Sequence, residues 1–210
     1  MKKITIVPFI LMAGFFVSCT SNESEENLTN STEISLDLKS SLSEKNYEGG
    51  CKKMSNIMNT MNTRSCTVTE DMGKEALAPF IDDGKVIQEQ IKNQAFLDNV
   101  SAEDKEYLNN LSESDLAALS FLVYNLNEAD KEQANGISTS KLRSCLAFAI
   151  GLTAIKELSI KGVITAVSLR QALFAIGKRY LGYIGVCLMI ADFYDCCYNR
   201  DYFNVQPYQN

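Results

Sequence analysis

The chain contains no histidine. That absence removes Ser-His-Asp and Cys-His nucleophile pairs, histidine-based zinc sites and imidazole acid–base chemistry together. There is no Gly-x-x-x-x-Gly-Lys phosphate loop and no dinucleotide-binding glycine fingerprint, so nucleotide chemistry has no seat. Long uncharged runs are missing from the most apolar region, residues 145–191. Lys156, Glu157, Lys161, Arg170, Lys178 and Arg179 interrupt it before any run reaches about 18 residues, which disfavours a permanent membrane span. Strand-like alternation of useful length is absent over residues 69–136. The Lys178-Arg179 pair is too small a basic patch for nucleic acid in a chain of net charge −6.

What is present begins at the amino terminus. Lys2 and Lys3 precede an uncharged stretch, residues 4–17, that runs into Phe16-Val17-Ser18-Cys19. A basic start, a short apolar core and a small residue before a cleavage point form the pattern of an export signal. The Phe16-Val17-Ser18-Cys19 ending resembles the lipobox of bacterial lipoproteins, with Phe16 where that family usually has Leu. The resemblance implies cleavage before Cys19 and a diacylglycerol thioether on that residue. It also implies display from the cell envelope, at the outer membrane or the cell surface. Residues 19–50, rich in Ser, Asn, Thr and Glu and closed by Gly49-Gly50, read as a flexible acidic tether that cannot bury enough apolar surface to order itself. Glu23, Glu25 and Glu26 also loosely resemble a signal for the outer leaflet.

Six further cysteines, Cys51, Cys66, Cys145, Cys187, Cys196 and Cys197, are an even set in an exported chain and read as disulfide candidates. Cys51 with Cys66 is the simplest local pair, and Cys145 lies far enough back to close the C-terminal helices onto Cys196 or Cys197. The alternative is that some stay free as small buried apolar side chains.

Helical spacing dominates the rest. Met54, Ile57, Met58 and Met61 predict a short helix over residues 51–62. Cys51 with three methionines can in principle hold a soft metal such as Cu(I), but methionine at this spacing is more commonly core filler. Leu77, Phe80, Ile81, Val86, Ile87 and Ile91 continue the pattern, with breaks expected at Pro79 and Gly84. Ser101 with Asp104 and Ser112 with Asp115 mark helix starts, the second opening a strong apolar helix that stops near Asn127. Three helices follow, near residues 140–158, 162–176 and 179–194, apolar over most of their circumference. Ala147 with Gly151 and Gly162 with Ala166 offer small residues for close helix contact. The expected fold is all-α: a disordered tether, an acidic helical region over residues 51–136, a hydrophobic, Gly- and Cys-rich helical core over 137–198, and a tail over 199–210. Residues 20–136 carry 22 acidic and 10 basic side chains, a net of −12, whereas residues 137–210 carry 4 and 8, a net of +4.

Asp192 and Asp195, three apart on the last helix, are the one arrangement that suggests paired-carboxylate chemistry, against the plainer reading of solvated acids at a helix end. Vicinal Cys196-Cys197 can bind a thiophilic metal, but each is expected to pair elsewhere in an oxidising compartment. No resident metal, cofactor or enzymatic activity is expected. The expectation is a non-catalytic envelope lipoprotein whose stapled helical domain binds an envelope protein or an extracellular ligand. In plan the chain resembles uncharacterised secreted helical proteins of gut-type bacteria, through Lys178-Arg179-Tyr180-Leu181-Gly182-Tyr183-Ile184-Gly185 followed by Asp192-Phe193. The alternative is a precursor whose basic apolar end resembles a membrane-active bacteriocin, with the acidic region as its neutralising pro-segment.

Overall fold

The computed structural model describes residues 36–62, 68–93, 101–129, 137–151 and 165–199. The signal segment with Cys19, most of the expected tether, Cys66, Gly162 and the tail from residue 200 lie outside the described residues. Among the described residues seven helices run in order: α1 (Glu44–Asn62), α2 (Glu70–Lys92), α3 (Ala102–Asn109), α4 (Glu113–Ala129), α5 (Thr139–Ile150), α6 (Ala166–Arg179) and α7 (Gly182–Tyr194). A π turn (Asp195–Asn199) follows α7, and no strand occurs among the described residues. The all-α expectation holds.

Local chemistry sets most of the helix starts. Thr69, Ser101, Ser138 and Thr165 each accept a hydrogen bond from the backbone N–H three residues on, at the heads of α2, α3, α5 and α6. Ser112 and Asp115 cap α4 reciprocally, each side chain accepting the other's backbone N–H at 3.2 Å. Helix α7 has no such neighbour, because Leu181 stands at its cap. Glu70, at the start of α2, supplies the cap instead: its carboxylate accepts the Tyr183 N–H at 2.9 Å, placing negative charge at the positive end of the helix dipole. Tyr183 also donates its hydroxyl to Glu113 at 2.6 Å, and Lys74 pairs with that same carboxylate, so α2, α4 and α7 meet at one polar corner.

Helix α7 is the interior element. Val186, Cys187, Met189, Ile190, Ala191 and Phe193 are buried, and α1, α2, α4 and α5 all pack against it. Phe193 meets Phe121 of α4 edge to face, with ring centroids 5.1 Å apart. The widest contact in the domain joins α2 to α4. Arg170 of α6 is held by Glu103 and by Asp104, the latter at 2.8 Å, which docks short α3 onto α6.

Four expectations need correction. Helix α1 starts at Glu44, so Gly49-Gly50 lies inside a helix and does not end a tether. Tyr47 explains the early start: it is buried, stacks on Tyr124 at 3.9 Å and donates to Asn125 at 2.9 Å. Helix α2 runs unbroken through Pro79 and Gly84. A proline inside a helix costs about 3 kcal/mol. Burying Leu77, Phe80, Ile81, Ile87 and Ile91 along one stripe of α2, at about 1.5–3 kcal/mol each, outweighs it. The last three helices have different limits, since α5 ends at Ile150 and α7 begins at Gly182. Gly151, expected as a helix-contact residue, follows α5 with φ 100° and donates its N–H to Ala147, so it terminates the helix.

Gly84 is a contact residue. A Cβ there would lie 2.1 Å from the Leu116 carbonyl oxygen, so the α2–α4 spacing depends on its absence. Gly84→Ala is expected to lower unfolding stability by about 3 kcal/mol in urea titration. Unchanged stability would show that α4 can shift freely.

Candidate functional site

Two features stand out, and the first is a segment that the sequence assigns to the tether. Residues 36–43 lie as a strap against α2 and α4, with Leu36 and Leu38 buried. Two carboxamides read its backbone. Gln90 of α2 accepts the Lys39 N–H at 2.9 Å and donates to the Lys39 carbonyl at 2.8 Å. Asn127 of α4 accepts the Ser40 N–H at 3.2 Å and donates to the Leu38 carbonyl at 3.0 Å. Between them sits Asp83, 4% exposed, which accepts four hydrogen bonds. These come from the Ser40 hydroxyl at 2.7 Å, the Ser41 N–H at 2.7 Å, the Ser41 hydroxyl at 2.6 Å and the buried Ser120 hydroxyl at 2.7 Å. No described cation forms a salt bridge with it. A buried carboxylate is tolerable only when its acceptor sites are filled, and the strap fills three of the four.

The second feature is a corner where α1, α5 and the π turn meet. A disulfide joins Cys145 of α5 to Cys196, with Cα atoms 5.6 Å apart. The vicinal pair is thus divided: Cys196 is oxidised and Cys197 is a free, buried thiol. Cys51 and Cys187, also disulfide candidates by sequence, are free and buried, which is the alternative of small apolar side chains. Cys51 sits in the α1 core face beside Met54, and no described cysteine bonds it. Burial pushes the Cys187 and Cys197 thiols up to about 12 and raises Cys51 further. Burial of this kind suits small packing groups, and Cys187 also donates its thiol to the Gly73 carbonyl at 3.6 Å. Met54 is wholly buried and Met58 partly so, as core filler would be. The described residues hold no cluster of three cysteine or acidic side chains placed to bind a metal.

Above this corner opens a cleft of about 510 Å³, lined by Glu44, Lys45, Glu48, Lys52, Tyr194 and Tyr198. The two tyrosine rings lie 4.7 Å apart. Carboxylates, ammonium groups and ring faces together can bind a polar ligand, but neither Asp192 nor Asp195 lines the cleft. Asp195 instead accepts the Ser55 hydroxyl at 3.1 Å, tying the π turn to α1. Both acids are half-buried. No family model matches the chain, and neither a curated protein nor a solved structure is detectably similar to it.

Sequence reasoning reached the disulfide partner of Cys145 only as far as the Cys196-Cys197 pair, and it missed the strap entirely. Asp83 carried the one available signal: it falls between Phe80 and Ile87 on the buried stripe of α2, where an acid needs a partner.

Asp83→Asn keeps one acceptor oxygen and turns the other into a donor NH2, so two of the four donors lose their acceptor. Its expected cost is about 2 kcal/mol, with faster proteolytic cutting within residues 36–43. An unchanged cutting rate would show that the leucines alone hold the strap. Reducing Cys145–Cys196, whose cysteines stand 51 positions apart, is expected to cost about 4 kcal/mol by the chain-entropy estimate. The free thiols add a pH signature. Their pKa values lie higher in the folded chain than the ordinary thiol value near 9, so they contribute stability fully present below about pH 8. That stability declines as pH rises towards 12, and an alkaline stability profile that stays flat would contradict their burial.

Proposed function

We propose that this chain is a cell-envelope lipoprotein, held in the membrane by lipid on Cys19. Its disulfide-stapled helical domain binds another envelope component or an extracellular ligand and catalyses no reaction. The observation that carries this reading is the strap. The chain emerging from an anchor at Cys19 enters the domain through residues 36–43, and these are gripped by Gln90, Asn127 and Asp83 before α1 begins. A load on the anchor therefore meets α2 and α4 first. The cleft beside Tyr194 and Tyr198 is the place in this reading for a polar ligand.

The second reading, a bacteriocin-like peptide released from residues 137–210, is less well supported. Helix α7 packs among α1, α2 and α4, so freeing the basic region would dismantle the core that it fills.

The test is Cys19→Ala. The natural chain should take up a fatty-acid probe and stay with the membrane fraction. The variant should be unlabelled, and released from that fraction if it is still cut from its signal segment. Labelling that survives the substitution overturns the anchor.

A further inference from the structure

We propose that the outer face of α6 rests on an anionic lipid surface. Val167 and Phe174 stand seven residues apart, two helical turns, and so share one side of α6, while Leu181 follows the C-cap residue Tyr180 on extended backbone just past the helix end. The three are 49%, 50% and 79% exposed, where the other face of α6 buries Leu169, Ala172, Leu173 and Ile176. Exposed apolar side chains in a row mark a contact surface, whereas scattered ones do not.

The charge around this row decides the partner. Lys178 lies with its ammonium 4.3 Å above the Phe174 ring, and Arg179 donates to the Phe148 carbonyl at 3.4 Å. Neither forms a salt bridge with a described carboxylate. The sequence has no acidic residue between Glu157 and Asp192, whereas residues 20–136 are strongly acidic. Arg170, the other cation of α6, is held by Glu103 and Asp104 of α3. Apolar side chains flanked by cations that carry no salt bridge to a described carboxylate form the pattern of a helix that lies in the headgroup layer, with Phe174 and Leu181 entering the acyl boundary. Anionic headgroups then complement Lys178 and Arg179, and the attraction is screened by salt. No single described helix is long and apolar enough to cross a membrane, and α6 with α7 passes that test only as a pair bent by 105° whose second helix is buried in the core; the proposed contact is one of lying on the bilayer.

The patch is small, and its affinity is weak for a freely diffusing domain. A tether raises the local concentration of the surface and makes the contact dominant. The contact itself needs no acyl group, so its failure leaves the reading of Cys19 untouched.

The chain has no tryptophan, so Phe174→Trp creates a single reporter. Glu33–Asn210 is one compact unit, and the experiment uses that unit without signal segment or lipid. Vesicles of phosphatidylglycerol should shift the Trp emission to the blue, and brominated acyl chains should quench it. Phosphatidylcholine vesicles should do so at least about tenfold more weakly, as should phosphatidylglycerol with K178E/R179E also present. Val86→Trp, on an exposed position of α2, should not respond. Emission of the Phe174→Trp protein that ignores phosphatidylglycerol at millimolar lipid overturns the proposal, as does an equal response from Val86→Trp. Emission already blue-shifted without vesicles also overturns it, because the face is then covered by the chain itself or by a second copy, which sedimentation distinguishes.

Discussion

A helix that is apolar on every side can exist only if other elements surround it, and α7 imposes that demand on this domain. Between Gly182 and Ala191 it carries no charge. Its packing neighbours α1, α2, α4 and α5 are drawn from both halves of the sequence, which makes the acidic and basic regions one body. Both ends of α7 are held by long-range chemistry: Glu70 caps the first turn, and the Cys145–Cys196 bond fixes the chain just past the last. Packing places the helix, and these two polar and covalent contacts fix its position along its axis.

Asp83 plays a comparable role on the other side of the α2–α4 pair. Removing water from a carboxylate is costly, and the four donors around it offset that cost only in one arrangement of strap and helices. The leucines of residues 36–43 supply the driving force, while Asp83, Gln90 and Asn127 supply register. A segment whose composition suits a disordered tether is in this way recruited into the fold.

Features governed by neighbours in sequence were legible before any coordinates. Ser101 with Asp104 and Ser112 with Asp115 announce helix starts because capping is a three-residue interaction. The apolar stripe of α4 announces a buried helix in the same way. Features set by distant partners were not legible. Pro79 reads as a break until the burial on either side of it is counted, and Gly84 reads as a break until the Leu116 backbone is seen against it. Ser40 and Ser41 look like linker residues because their partner, Asp83, lies more than 40 positions away. The lining of the cleft was invisible for the same reason, since Glu44 and Glu48 meet Tyr194 and Tyr198 only through the packing of α1 against α7. The cysteines fall between these cases: their parity suggested full oxidation, but burial within α1 and α7 gives Cys51 and Cys187 an apolar role.

The position of α7 in the chain bears on how the protein comes into being. The helix against which four others pack follows all four of them in the chain, and the cysteine that secures it comes later still. A chain threaded from its amino terminus therefore presents the inward faces of α1, α2 and α4 well before their common partner arrives. Those faces include Phe80, Phe121 and Leu122. Nascent domains with late-closing cores are exposed to aggregation and to holding factors during that interval. Closure of the core between α1, α2 and α4 waits for the appearance of α7.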